Sequence, residues 1–177
     1  MRTELEKFYS MIEDIQIAMM TTRRRDGHLV SRAMATQKWA EGADLWFVTA
    51  DGSPKLADLE GDPHINLSYF KDGSMEWISA SGVATISRDR DKIAALYEED
   101  WKLWFPKEGD SRHGTVDDPR FVLIGVDIHA AQFLEIKKPK PVVLYEIVKG
   151  WLTNTEPDLG ETHHLREPHR PSSVVER

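Results

Sequence analysis

Two tight-turn signals, Arg25-Asp26-Gly27 and Lys71-Asp72-Gly73-Ser74, each stand between runs of β-branched and apolar residues that alternate with polar ones. Such a pattern specifies antiparallel hairpins, because Asp-Gly supplies the positive φ of a tight turn and a period of two turns one face of each strand inward. The first hairpin joins residues 15–22 to 28–37, and the second joins 64–70 to 75–87, where Gly82 marks a bulge or bend. Leu45-Trp46-Phe47-Val48-Thr49 reads as a short aromatic strand, and residues 121–128 and 130–136 as two more. The expectation is a mainly β chain with peripheral α, of six to seven mostly antiparallel strands. Strands so connected favour a closed or partly open barrel, since closure removes exposed edges.

Helical spacing accounts for the remainder. Leu5, Phe8, Tyr9 and Ile12 predict an amphipathic helix over residues 3–14. Ser53 as N-cap and Pro54 in the first helical position predict a helix of barely two turns ending at Gly61. Asp89 predicts a cap for a helix reaching about Phe105, with Ile93, Leu96, Tyr97, Trp101 and Trp104 on one face, Glu98 paired with Lys102, and Pro106 as its stop. Residues 107–119 read as a loop, and 142–152 as a strand or a helix by period, with length favouring the helix. Residues 1–154 form the folded domain in this reading, and 155–177, rich in Pro, His and charge, a disordered tail.

A chain of 177 residues with 40% hydrophobic residues can build one core. Lys and Arg number 23 against 30 Asp and Glu, a net charge of −7, which argues against a general nucleic-acid binder. The absence of cysteine removes disulfides, zinc fingers and thiol nucleophiles. The charged start Met1–Lys7 has no apolar stretch behind it, so neither a secretory signal nor a membrane span is expected, and the cytoplasm is the default location.

No nucleophile elbow, Walker A loop, zinc-protease motif or dinucleotide fingerprint is present, so no catalytic residue is assigned. Arg32 lies in mid-strand on the same face as Met34, and a guanidinium there needs an acidic side chain or an anionic ligand. An ordinary ion pair or a rim position is the commoner reason. Ser53-Pro54-Lys55 begins a helix directly after a strand, where free N–H groups and a lysine would seat a phosphate, although most such starts are only caps. Trp39, Trp46, Trp101, Trp104 and Trp151 read as core or dimer contacts. His163, His164 and His169 read as solvated rather than metal-binding, and Arg23-Arg24-Arg25 as a solvated hairpin tip.

Taken together, the segment from Ser31 to Leu67 resembles the flavin-binding split barrel of pyridoxamine 5′-phosphate oxidase and its relatives. Arg32 stands where that family has a phosphate-binding Arg. Phe47-Val48-Thr49, Ser53, Lys55, Leu59 and Pro63 have the spacing of its strand, phosphate loop and helix. Residues 80–86, Trp101, Trp104-Phe105-Pro106-Lys107 and Asp118-Pro119 look like the general stress protein branch, and the resemblance covers about residues 5–150. It implies a homodimer with FMN, or FAD, at the interface. The phosphate would sit on Arg32, Ser53 and Lys55, the ring on Met34 and the backbone of Phe47, Val48 and Thr49, and Trp77 would stack from the second subunit. The implied activity is flavin redox on a small molecule; the alternative is a non-catalytic module that binds or stores flavin, haem or a deazaflavin. Where the oxidase has a second Lys this chain has Gln37, the Ser-Arg-Lys triplet reads Ser53-Pro54-Lys55, a flavin-contacting Gln is Trp77, and the substrate-binding C-terminal motif is unmatched. Pyridoxamine phosphate oxidation is therefore not expected.

Overall fold

The computed structural model describes residues 3–105, 109–137 and 139–170. Helix α1 (Glu4–Ile15) opens on a capping box, in which Thr3 Oγ1 accepts the Glu6 N–H and Glu6 Oε2 accepts the Thr3 N–H. Its Phe8, Tyr9 and Ile12 are buried. There follow β1 (Ile17–Arg23), β2 (Leu29–Ala35), β3 (Leu45–Ala50), α2 (Pro54–Gly61), β4 (His64–Phe70), β5 (Trp77–Ser87), α3 (Arg90–Leu96), β6 (Phe121–Glu135), α4 (Lys140–Thr153) and β7 (Glu161–Arg166).

The strands form one antiparallel sheet in the order β2-β1-β4-β5-β6-β3. Both predicted hairpins are present. The sheet curls until its two edges meet: the Gln37 N–H donates to the Trp46 carbonyl just past the end of β2. Farther along, β2 and β3 diverge and leave a cleft, so the architecture is a split barrel. Its interior holds Phe8, Met20, Phe47, Leu67, Tyr69, Ile78 and Phe133, all essentially inaccessible to solvent.

Three sequence expectations need correction. The two predicted strands over 121–136 are one strand, β6, which accommodates an extra residue, His129, where its register with β5 shifts at Ser81/Gly82. A Cβ on Gly82 would lie 2.1 Å from the Asp127 carbonyl oxygen, so the close approach at the bulge requires glycine. The helix predicted to reach Phe105 stops at Leu96, because Tyr97 and Glu98 are extended, and a 3₁₀ turn over Glu99–Leu103 follows. That break swings the Trp101 ring edge-on to Phe121 at 5.1 Å, and Lys102 pairs with Glu99 rather than Glu98. The predicted stop at Pro106 lies outside the described residues.

The tail is the third correction. Residues 161–166 pair with β6 along the same edge that β3 uses farther up. The segment beyond is pinned to the barrel: Tyr9 Oη donates to the Pro168 carbonyl, and the buried Asp44 carboxylate accepts the Arg170 N–H. Residues 171–177 lie outside the described part. Residues 142–152 do form a helix, and α4 leaves Leu144, Tyr145, Trp151 and Leu152 exposed. Among the described residues no helix is long and apolar enough to cross a membrane.

Candidate functional site

The site is the cleft where β2 and β3 part. Alternation along β2 turns Arg32 and Met34 to its less exposed side. On β3 the same alternation sends Phe47 fully into the core and leaves Val48 beside the cleft. Phe47, named in the sequence for the ring site, is not among the residues that line the cleft. The resulting cavity of about 350 Å³ has apolar walls, with Ile17, Ala33, Met34 and Ala35 on one side and Val48, Thr49 and Ala50 on the other. Trp101 from the 3₁₀ turn and Trp104 and Phe105 just after it form its rim, and Ser53 and Lys55 line one end.

Lys55 is the feature that most needs an explanation. Its ammonium donates to Thr49 Oγ1 and Ser53 Oγ, each at 2.7 Å, and makes no ion pair with any described carboxylate. Burial, and then the positive charge of Arg32, lower its pKa from the ordinary lysine value. The two cations therefore sense each other across the start of α2. Arg32 is otherwise engaged: Nη1 donates to Thr22 Oγ1 at 2.6 Å and Nη2 to Asp58 Oδ2 at 3.3 Å. Asp58 also accepts from Thr22 at 2.9 Å, so a small buried network anchors β1 and β2 to α2. The ion pair that composition alone favoured for Arg32 is thus present, and it stands beside Lys55.

The helix terminus contributes less than the sequence suggests. Ser53 is the N-cap, but its hydroxyl makes no capping bond and accepts from Lys55 instead. Pro54 has no N–H, the Ser53 N–H donates to the Ala50 carbonyl, and the Leu56 N–H returns to the Ser53 carbonyl. Side-chain charge, rather than a row of free amides, makes this end of the cleft attractive to an anion.

Gln37 has a structural task. Its Nε2 donates to the Ala35 carbonyl at 2.9 Å and its Oε1 accepts the Trp101 Nε1–H at 2.7 Å, which fastens the aromatic rim to β2. Beside that rim, the Arg120 guanidinium lies over the Phe105 ring at 5.9 Å and pairs with Asp118. Burial alone would raise the Asp118 carboxyl, but Arg120 and the Gly114 and Arg120 amides outweigh it and hold the pKa at about 2.

Of the residues singled out in the sequence, Met34, Val48, Thr49, Ser53 and Lys55 share one cavity and Arg32 adjoins it. Trp77 does not: it begins β5, between Phe70 and Leu134, away from the cleft of its own chain. Residues that sequence reasoning treated as packing, Trp101 and Trp104, line the cleft as well, and no local signal distinguishes those two roles. Lys55 and Asp100 are the only titratable groups among the described lining residues.

Comparison with known proteins places this geometry. Residues 3–158 match the family "Pyridoxamine 5′-phosphate oxidase like". Protein bli-3 of Neurospora crassa is 33% identical over 161 residues, which is 89% of this chain and 77% of that protein. Among solved structures, a Clostridium acetobutylicum protein related to general stress protein 26 of B. subtilis superposes with a TM-score of 0.65 at 15% identity, covering 92% of this chain and 93% of its own. The general stress FMN/FAD binding protein of Xanthomonas citri gives a TM-score of 0.58 at 22% identity, covering 72% and 84%. At those identities the structures speak for the fold. A split barrel with this strand order, matched by the family over nearly its whole length, establishes that the chain belongs to the pyridoxamine 5′-phosphate oxidase-like family.

Proposed function

We propose that the cleft between β2 and β3 binds FMN, with the phosphate on Lys55, Ser53 and Arg32 and the ring against Met34, Val48 and Thr49. The observation that carries this reading is Lys55, a half-buried ammonium with no acidic partner among the described residues at the end of an apolar slot. A phosphate dianion supplies the missing counter-charge, and the apolar walls suit an aromatic ring. Arg32, held by Asp58, adds a fixed second cation, while the hydroxyls of Thr49 and Ser53 can turn from Lys55 to the phosphate. The flavin, when bound, supplies hydride and electron transfer. The chain's own part is to orient the ring and exclude water, since the described residues lining the cleft include no acid or base besides Asp100 and Lys55.

A homodimer completes the cleft in this reading. Ile17 and Trp104, two of its lining residues, are 49% and 78% exposed, so one wall is open where a second copy would close it. Trp77 of that copy would approach the ring. The protein then acts as a flavin-dependent oxidoreductase of the general stress type on a small molecule in the cytoplasm, and an FAD adenylyl group would extend through the open side.

Titration of the purified full chain with FMN, followed by visible absorbance, is expected to show saturable binding and a shifted flavin band. Addition of NADH or NADPH should then bleach the band, and air should restore it. Tight binding with no reduction by either nucleotide would make the protein a flavin-holding module. No binding would contradict the reading.

A further inference from the structure

His163 leaves the solvated class once β7 pairs with β6. It lies opposite Phe133, its ring stacks on that phenyl with centroids 4.7 Å apart, and its side chain is 9% exposed. The two imidazole nitrogens have different surroundings. Nδ1 lies 3.1 Å from Glu4 Oε1 at the start of α1. Nε2 is buried without a hydrogen-bond partner among the described residues, and it faces Glu135 Oε2 and Glu161 Oε2 at 3.7 and 3.8 Å. Those distances are too long for hydrogen bonds. With its proton on Nδ1, toward Glu4, the ring aims a lone pair at two carboxylates, an arrangement of acceptors that a cation would satisfy.

We propose that His163 Nε2, Glu135 and Glu161 form a divalent-cation site, best suited to Zn²⁺, that clips β7 to β6. One ligand atom from each of the three lies within 4.8 Å of the others. Zinc binds imidazole nitrogen and carboxylate oxygen at about 2.0–2.2 Å, so a tetrahedral set has ligand separations of roughly 3.3–3.6 Å. Small side-chain rotations close the difference, and a fourth position is left for water. Glu4 on Nδ1 is the outer partner that fixes the tautomer and strengthens the ligand. Two lysines oppose the ion: Lys7 pairs with Glu135 at 2.9 Å and Lys137 with Glu161 at 2.5 Å. They must release one carboxylate oxygen each. The site therefore has a signature that a random surface histidine lacks, because removing a neighbouring cation should tighten it.

The untagged full chain, titrated with ZnSO₄ by calorimetry, is expected to bind one ion per chain. Glu161→Gln, at an exposed position, should weaken binding by about 10- to 100-fold, Glu4→Gln by about tenfold, and Lys137→Met should strengthen it. His163→Phe keeps the stacking on Phe133 and should abolish the site. Unchanged affinity in both Glu161→Gln and His163→Phe would assign the zinc to other histidines and overturn the proposal, as would the absence of binding.

Discussion

Replacing Lys55 by methionine is expected to weaken FMN binding by about 10- to 100-fold, the equivalent of one charge-assisted contact of ~1.5–3 kcal/mol. The same change should leave the melting temperature unchanged or raise it. In the free protein the ammonium is half-buried, its pKa is lowered by burial and by Arg32, and among the described residues only two hydroxyls satisfy it. Removing it relieves that cost and loses no ion pair with a described carboxylate. A residue kept for stability would behave in the opposite way. The pH dependence follows with its sign: a lysine of lowered pKa loses its charge sooner as pH rises, so FMN affinity should fall at a lower pH than an ordinary lysine would dictate. In the Lys55→Met variant that alkaline loss should disappear. Isothermal titration across the alkaline range reads both effects. Equal affinity in the two proteins would remove Lys55 from the phosphate site. Arg32→Ala is a less clean probe, because it strands the largely buried Asp58 carboxylate and lowers stability as well.

Phe47→Ala is expected to destabilise the fold by about 3–5 kcal/mol, the usual cost of emptying a fully buried aromatic site. The ring sits in the barrel interior with Leu67, Tyr69 and Ile78, while Val48, Thr49 and Ala50 of the same strand line the cleft. One residue thus links core packing to ligand position. Urea denaturation of the flavin-free protein measures the loss. FMN affinity of the remaining folded protein should change by less than the Lys55 variant's, since no side-chain contact to the ligand is removed. A stability loss below about 1 kcal/mol would mean that the interior repacks around the gap.

Local signals located the hairpins well. Asp-Gly turns and alternation set β1 with β2 and β4 with β5, and Gly82 announced its bulge because no side chain fits against the Asp127 carbonyl. Pairings between distant segments were not legible in this way. Nothing in the residues of β3 specifies β6 as its partner, and the barrel class came from strand count and edge avoidance together with the family resemblance. Strand β7 was missed because Glu-Thr-His-His-Leu-Arg is polar on both sides and exposes one side to solvent. Its burial comes from what it meets, Phe133 and α1, rather than from its own pattern. The helix expected to reach Phe105 failed for the converse reason: a 3₁₀ turn after two extended residues preserves apolar steps of three and four, so periodicity could not reveal the break.

The candidate site divides along the same line. Ser53 and Lys55 are neighbours in sequence, and their convergence followed from the strand and helix start between which they lie. The Asp58 partner of Arg32 and the Gln37–Trp101 bond depend on tertiary approach, which single-sequence reasoning supplies only as a demand for some partner. Trp77 remains the residue whose role depends most on a second copy, since its own chain directs it away from the cleft.

A crystal structure of the full chain grown with FMN decides whether the cleft between β2 and β3 is the flavin site. The phosphate is expected within hydrogen-bond distance of Lys55 Nζ and Ser53 Oγ, with the guanidinium of Arg32 turned toward it and the ring lying between Met34 and Val48 against a second copy of the chain. A flavin seated elsewhere, with Lys55 still bonded only to Thr49 and Ser53, would contradict it.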